Sequence, residues 1–166
     1  MTHSDRKLNS TSNFDLVICF GYRHIISSET INDSQCRIIN LHTSMLPWNR
    51  GAHPIFWSFF DNTPLGVSIH EIESGIDTGA LIAQKEVFLE TASLTFEDAH
   101  TRMNQEIEEL FIDVFDGIVG GAAFASPQIG GGSFHKTSDL PKDFSGWESE
   151  IDKEIERLKS LTKDHR

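Results

Sequence analysis

The sequence predicts an α/β fold in which an open, mostly parallel sheet carries helices on both faces. Short, nearly unbroken apolar runs at residues 14–20 and 37–41 are typical of strands covered on both sides. They alternate with residues 25–31, 52–62 and 95–119, whose apolar side chains recur at helical spacing. Such alternation of strands and helices is typical of an α/β sheet.

The chain is predicted to begin its fold with a strand–helix–strand unit. Residues 14–20 form the first strand, and residues 37–41 form the second. The short helix between them spans residues 25–31, and Ser27 or Ser28 can cap it.

A broad apolar face predicts the next helix, at residues 52–62. That face is formed by Ile55, Phe56, Phe59 and Phe60. Two further strands are predicted at residues 66–73 and 80–89, and a glycine-bounded turn at residues 74–79 connects them.

A long helix is predicted to begin at Thr95, because Asp98 stands three residues later as the acidic partner of a capping box. It is expected to end near Phe115 or Val119. Its buried stripe is predicted to consist of Ala99, Met103, Ile107, Leu110, Phe111 and Phe115.

Composition and charge exclude several classes of protein. A chain of 166 residues is sufficient for one domain with a buried core. The net charge of −11 argues against a protein that mainly grips nucleic acid. Two cysteines, Cys19 and Cys36, predict neither a disulfide framework nor a thiolate metal site. No apolar run approaches the roughly 20 residues of a membrane helix, and the polar start is unlike a signal peptide. A soluble, cytoplasmic protein is expected.

Three polar side chains are the candidate catalytic residues. Asn40 and His42 lie at the end of the second strand, and Asp77 lies in the turn before a later strand. Residues two apart on a strand point to the same face, so Asn40 and His42 are expected to lie side by side. Ligands of α/β sheets lie beyond the carboxyl ends of the strands, where this pair is predicted.

These three residue types suit acyl transfer to an amine. An amide such as that of Asn40 can donate a hydrogen bond to a developing oxyanion. An imidazole such as that of His42 can donate a second bond or shuttle protons near neutral pH. Asp77 can orient His42, hold it cationic or position a relay water.

The order of motifs around these residues resembles the catalytic core of the folate-dependent formyltransferases. The resemblance covers roughly residues 15–115. The segments that carry it are residues 40–42, 44–47, 50–51, 66–70 and 76–79. It implies a partial Rossmann-type fold, a catalytic role for Asn40, His42 and Asp77, and 10-formyltetrahydrofolate as co-substrate, without a metal ion.

The resemblance also implies the position of the folate. One wall of the pterin pocket is expected from Tyr22, Arg23, His24, Ile25 and Ile26. The other is expected from the turn before Asp77, represented by Glu73, Gly75 and Ile76.

Segments at residues 21–26, 46–51, 54–59 and 132–135 are most similar to the small nucleotide-sugar N-formyltransferases. The expected acceptor is therefore the amine of a nucleotide-linked amino sugar. Glycinamide ribonucleotide and methionyl-tRNA are alternative acceptors, and a non-catalytic module that acts through protein pairing is the alternative to an enzyme.

The resemblance divides the chain into three parts. Residues 1–13 form a polar tail, and residues 14–120 form the catalytic core. Residues 121–166 contain the rest of a glycine-rich segment, residues 117–132, predicted as a mobile loop with at most a short strand, and an amphipathic helix at residues 147–161. The first strands of the usual fold are expected to be absent. A homo-oligomer could then form through an exposed sheet edge or the C-terminal helix.

A zinc site is the alternative reading of the same polar residues. It would use His42, His53, His70 and Asp77. Their spacing fits no short zinc-ligand motif, and His53 and His70 are expected to be structural or pocket-lining residues.

Overall fold

A computed structural model describes residues 6–163. Its strands are β1 (Leu16–Phe20), β2 (Arg37–His42), β3 (Arg50–Gly51), β4 (Gly66–Glu71), β5 (Leu81–Glu86) and β6 (Phe134–His135). Its α-helices are α1 (Ser28–Asn32), α2 (Pro54–Phe60), α3 (Phe96–Val119) and α4 (Ile151–Lys163). Residues 1–5 of the predicted polar tail lie outside the described residues.

The main sheet has the strand order β1-β2-β4-β5, and β3 pairs with β6 in a second, two-stranded sheet. The predicted α/β class is confirmed. In the main sheet β1 and β2 are parallel, and so are β3 and β6 in the second sheet. The pairs β2–β4 and β4–β5 are antiparallel. The chain turns back directly between β4 and β5, without the crossover that a parallel pair needs.

The larger apolar core lies between the sheet and α3. Side chains from alternate positions of β2 and β4, such as Ile39 and Ile69, pack against the buried stripe of α3. Ala99, Met103 and Ile107 of that stripe are fully buried, which agrees with the predicted periodicity. The opposite positions of the same two strands remain available for polar side chains.

The second face of the sheet carries a smaller apolar cluster. Cys19, Ile26 and Ile38 form its buried part. Ile31 of α1 packs against it, so helices cover both faces, as predicted. This is also the face on which Asn40 and His42 lie, since they share the alternation of Ile38.

Both predicted helix caps are present. Thr95 and Asp98 form the capping box of α3, and the Ser27 side chain caps α1 by accepting a bond from the backbone N–H of Thr30. Several predicted boundaries differ from the observed ones by a few residues: β2 and α1 end one residue later than predicted, and α4 begins four residues later and ends two residues later. Similarly, β1 begins at Leu16, because Phe14 closes a turn with Thr11.

The glycine-rich segment contains no regular strand within residues 120–132. It is nevertheless attached to the sheet edge, because Ser126 and Leu81 exchange two backbone hydrogen bonds of 2.7 and 2.8 Å. The short strand β6, just beyond the segment, was not predicted from the sequence. None of the helices in the described part of the chain is long and apolar enough to cross a membrane.

Phe56 is the aromatic centre of the core, and its truncation should be costly. Its ring is fully buried and lies 5.1 to 5.6 Å from the rings of Trp57, Phe60, Phe96 and Phe144. We expect Phe56→Ala to lower the free energy of unfolding by about 3 to 5 kcal/mol, measured by urea denaturation.

Phe88→Ala is the matched control for this substitution. The Phe88 side chain is 85% exposed, so its truncation should change the free energy of unfolding by less than about 0.5 kcal/mol. Equal effects of the two substitutions would contradict the assigned core.

Candidate active site

Asn40 and His42 occupy the same face at the carboxyl end of β2, as predicted. In the antiparallel register, Asn40 lies opposite His70 of β4, and His42 lies opposite Ser68. The Asn40 amide nitrogen is 3.3 Å from His70 Nε2 and 3.3 Å from Asp77 Oδ1. The strand pairing therefore adds His70 to the predicted trio.

The Asp77 turn returns the chain to the end of β2. Asp77 adopts a left-handed backbone conformation with φ of 52°. Its Oδ2 accepts a 2.8 Å hydrogen bond from the backbone N–H of Gly51. Gly79 packs against the backbone of β4, because a Cβ there would lie 1.8 Å from the carbonyl oxygen of Glu71. The turn thus places a carboxylate against two imidazoles.

The two histidines contact Asp77 from different strands. His42 Nε2 lies 3.7 Å from Asp77 Oδ2 and 3.4 Å from the carbonyl oxygen of Asn49. His70 Nε2 lies 3.5 Å from Asp77 Oδ1. Because His70 Nδ1 is 2.7 Å from the Glu71 carbonyl oxygen, Nδ1 carries a proton, and Nε2 faces both the Asn40 amide and the Asp77 carboxylate.

Burial and charge act in opposite directions on His42. Desolvation lowers the pKa of His42 below its ordinary value of 6.5, and the neighbouring His70 lowers it further. The Asp77 carboxylate and the Asn49 carbonyl oppose this, but burial outweighs them. His42 is therefore neutral at pH 7. The tautomer that donates from Nε2 to Asn49 leaves Nδ1 free to accept a proton.

Asp77 stays ionised in spite of its burial. Desolvation raises the pKa of the carboxyl group, but hydrogen bonds from His70 and Gly51 and the charge of His42 lower it to about 2. The site therefore pairs a neutral imidazole with a fixed negative charge over the neutral pH range.

The predicted folate loop follows β1. The Tyr22 hydroxyl accepts from the backbone N–H of Leu8, and Ile26 is buried in the smaller apolar cluster. The side chains of Arg23, His24 and Ile25 are exposed, with Ile25 at 77%. Tyr22 and Ile26 thus attach this segment to the rest of the fold, and the three side chains between them are exposed to solvent.

The second predicted wall precedes Asp77. Glu73, Gly75 and Ile76 are all exposed. Ile72, directly before them, packs in the same apolar cluster as Ile26. Both predicted walls therefore lie on the face of the sheet that carries Asn40 and His42.

Sequence reasoning missed the residues that hold the trio. Asn49 is fully buried, and its side chain bonds Ser58, Thr63 and Ser133 at 2.7 to 2.9 Å. Gln128 bonds the backbone of the Asp77 turn. His70 is expected from the sequence to be a structural or pocket-lining residue, and its alternation with Ser68 on a predicted strand is the signal of a polar face.

A cavity of about 790 Å³ is lined by residues of α2, of the start of α3 and of the loop before α4. Thr43, the residue after His42, lines this cavity. His53 also lines it, and its ring lies 5.2 Å from that of Trp147. Glu97 and His100 near the start of α3 line its opposite side. Polar and aromatic groups together suit a ligand with hydroxyl groups and a ring.

Residues 6–163 contain no group of three or more histidine, cysteine, aspartate or glutamate side chains that could hold a metal ion. The two cysteines, Cys19 and Cys36, are unpaired.

Comparison with protein families gives one match, to the formyl transferase family, over residues 4–115. The chain is 30% identical over 141 residues to a dTDP-4-amino-4,6-dideoxyglucose formyltransferase of Mycobacterium tuberculosis, covering 85% of this chain and 57% of the relative. It is 32% identical over 130 residues to a methionyl-tRNA formyltransferase of Thermodesulfovibrio yellowstonii, covering 75% and 40%. The chain thus spans about half the length of these relatives.

Among solved structures, the chain is similar to the formyltransferase PseJ of Anoxybacillus kamchatkensis. The two share 39% identity and a TM-score of 0.85, over 92% of this chain and 84% of PseJ. The PseJ structure contains UDP-4,6-dideoxy-4-formamido-L-AltNAc and tetrahydrofolate. A sugar N-formyltransferase from Shewanella is also similar, with 28% identity and a TM-score of 0.72 over 89% of this chain and 60% of that one.

The ionised state of Asp77 should make stability depend on pH. Its pKa is about 2 in the folded protein, against an ordinary value of 3.8, so the unfolded chain binds the proton first as pH falls. The contribution, roughly 2 kcal/mol from this difference, is present above pH 4 and is lost as pH falls towards 2. The free energy of unfolding of the wild-type protein should therefore increase between pH 2 and pH 4, and we expect this increase to be smaller in Asp77→Asn.

Asp113→Asn is the control for that measurement, because Asp113 is exposed on α3. Urea denaturation at a series of pH values should give the wild-type slope for this variant. An unchanged slope in Asp77→Asn would show that the Asp77 pKa is not lowered.

Proposed function

Because this chain belongs to the formyl transferase family, we propose that it transfers a formyl group from 10-formyltetrahydrofolate to the amine of a nucleotide-linked amino sugar. The observation that carries the proposal is the cluster of Asn40, His42 and Asp77 at the end of β2, in which Asn40 donates to Asp77 and His42 Nε2 lies 3.7 Å from the same carboxylate. Amide, imidazole and carboxylate are the groups that formyl transfer to an amine needs.

The ligands of PseJ support this choice of reaction. A 4-formamido sugar and tetrahydrofolate are the two molecules that remain after a formyl group has passed from folate to a sugar amine. At 39% identity, PseJ is similar to this chain over nearly all of both molecules. The same pair of substrate classes is therefore proposed here.

Asn40 is proposed to stabilise the oxyanion. The neutral amine attacks the formyl carbon, a C–N bond forms, and the carbonyl oxygen gains a negative charge. The Asn40 amide nitrogen lies 3.3 Å from His70 Nε2 and 3.3 Å from Asp77 Oδ1, and both distances are long for hydrogen bonds. An oxyanion in the site would compete successfully with such weak partners.

His42 and Asp77 are proposed to move the protons. The attacking nitrogen loses a proton, which the neutral His42 accepts at Nδ1. The intermediate collapses when the bond between the formyl carbon and folate N10 breaks, and His42 returns the proton to N10. The Asp77 carboxylate, 3.7 Å from His42 Nε2, stabilises the imidazolium that exists between these steps.

The two substrates are proposed to approach from different sides. The folate lies between the segment 22–26 and the segment 73–76, on the face shared by the trio. The acceptor lies in the cavity between Thr43 and Trp147, where carboxylate and imidazole groups can bind sugar hydroxyls.

The division of the chain is proposed as follows. Residues 14–120 form the catalytic core, and residues 121–166 complete its walls. The unpaired cysteines are consistent with the proposed cytoplasmic location. A homo-oligomer that forms through a sheet edge or α4 stays a prediction.

Methionyl-tRNA is the second candidate acceptor, because the chain is similar to an enzyme of that name. The net charge of −11 opposes it, since binding an anionic RNA requires clustered basic side chains. Glycinamide ribonucleotide is a further acceptor to compare in the same assay. Failure to bind 5-formyltetrahydrofolate in calorimetry would favour a non-catalytic module instead.

Removal of the proposed oxyanion donor should abolish most of the activity. We expect Asn40→Ala to reduce kcat for formyl transfer to a nucleotide-linked amino sugar by about 10²- to 10³-fold. Affinity for 5-formyltetrahydrofolate should change much less, because the pterin walls are unaltered. Asn13→Ala, at an exposed residue, is the control and should retain full activity. Full activity in Asn40→Ala would refute the assigned role.

The pH dependence of turnover should report the lowered pKa of His42. Because the neutral ring is the proposed base, kcat/KM should fall at acid pH with a midpoint below the ordinary 6.5. The Asp77 charge raises the pKa of His42, so Asp77→Asn should move the midpoint of its residual activity to a lower pH. A midpoint above 6.5, or a shift to higher pH in the variant, would contradict this assignment.

A further inference from the structure

Gln128 lies in the glycine-rich segment, where sequence reasoning placed no functional residue. Its Nε2 donates to the carbonyl oxygens of Asp77 and Gly79, at 2.8 and 2.9 Å. Its Oε1 accepts from Nε and Nη2 of Arg50, at 3.2 and 2.8 Å. Both donors and both lone pairs of this amide are therefore in use, with partners 51, 49 and 78 residues away along the chain.

The Asp77 turn requires support of this kind. A non-glycine residue with φ of 52° is in a sparsely populated backbone region, which persists only where surrounding contacts impose it. Gln128 binds the carbonyl oxygen of Asp77 itself and that of Gly79 two residues later. One side chain thus spans the turn and fixes its curvature.

The same amide is coupled to the group that holds the Asp77 carboxylate. Arg50, which binds Gln128 Oε1, immediately precedes Gly51 in β3. The Gly51 N–H donates to Asp77 Oδ2 at 2.8 Å. Gln128 therefore connects the backbone of Asp77 to the strand that binds its side chain.

We propose that Gln128 is a positioning residue. It holds the Asp77 carboxylate close enough to His42 to stabilise the imidazolium that forms when His42 accepts a proton. The inference rests on the proposed function for its kinetic consequence only. The positioning itself is a property of the free protein. Gln128 contacts neither substrate in this proposal and acts through the Asp77 turn.

Two substitutions separate positioning from folding. Gln128→Met keeps the length of the side chain and removes all four hydrogen bonds. Gln128→Glu keeps an acceptor for Arg50 as an ion pair, but it cannot donate to Asp77 or Gly79. The control substitutions are Gln105→Met and Gln105→Glu. Gln105 is exposed on α3, so these variants make the same changes of side chain and charge away from the Asp77 turn.

The readout is the His42 imidazole, titrated by NMR in the protein without substrate. His42 faces Asp77, the neighbouring His70 and the carbonyl oxygen of Asn49. If Asp77 moves away from its present distance of 3.7 Å, the weaker attraction should lower the pKa of His42. Both Gln128 variants should show this decrease, and both Gln105 variants should match wild type.

Kinetics and thermal melting complete the test. In the Gln128 variants kcat should fall by about 10- to 100-fold, with KM for donor and acceptor close to wild type. A wild-type His42 titration in folded Gln128→Met and Gln128→Glu would overturn the proposal, even if their melting temperatures were lower. If Gln128→Met does not fold, Gln128→Glu decides, and failure of both to fold would assign Gln128 to folding rather than positioning.

The positioning role and the proposed function fail separately. Wild-type protein that transfers no formyl group, combined with a shifted His42 titration in the variants, would reject the reaction and support the positioning role. Measurable formyl transfer by the wild-type protein, combined with an unshifted His42 titration in the Gln128 variants, would support the reaction and reject the positioning role.

Discussion

The Asp77 carboxylate is the group on which the arrangement of the site depends. It receives hydrogen bonds from Asn40 and Gly51 and lies within 3.7 Å of the imidazoles of His42 and His70. Those partners come from three different strands. A buried negative charge without such partners would be strongly destabilising, so the strands must meet there for the protein to fold. The contacts that stabilise the carboxylate are also the contacts that orient the amide and imidazole groups proposed to react.

A second buried polar network holds the loop that follows β2 in place against the sheet. The Ser68 hydroxyl donates to the Ser44 carbonyl oxygen at 2.7 Å and accepts from the backbone N–H of Leu46 at 3.1 Å. Gln84 donates to the Leu46 carbonyl oxygen and to Ser68, at 2.8 and 2.9 Å. This network ties the loop to β4 and β5, so the loop cannot move independently of the sheet. Asn49 at its far end is thereby held where its carbonyl oxygen faces His42.

Prediction from sequence succeeded where the signal was local. Strand runs, the capping box of Thr95 and Asp98, and the i, i+2 relation of Asn40 and His42 all depend on a few adjacent residues. The antiparallel pairing of β2 with β4, which brings His70 to Asn40, is a relation across 30 residues and has no local signal. The same holds for β3 and β6, each only two residues long. A pair of two-residue strands is defined by its partner and not by its own periodicity.

The C-terminal part of the chain belongs to the site for a reason that the amphipathic pattern alone did not indicate. Glu154 of α4 is only 4% exposed, and it accepts from the Ser145 backbone N–H at 2.7 Å and from Arg157. A carboxylate buried in this way is stable because the loop before α4 and a cation on the next turn both bind it. The loop so anchored carries Trp147 against His53, and both residues line the same cavity. The helix therefore packs its apolar stripe on the core and uses its polar side to fix a wall of the proposed acceptor site.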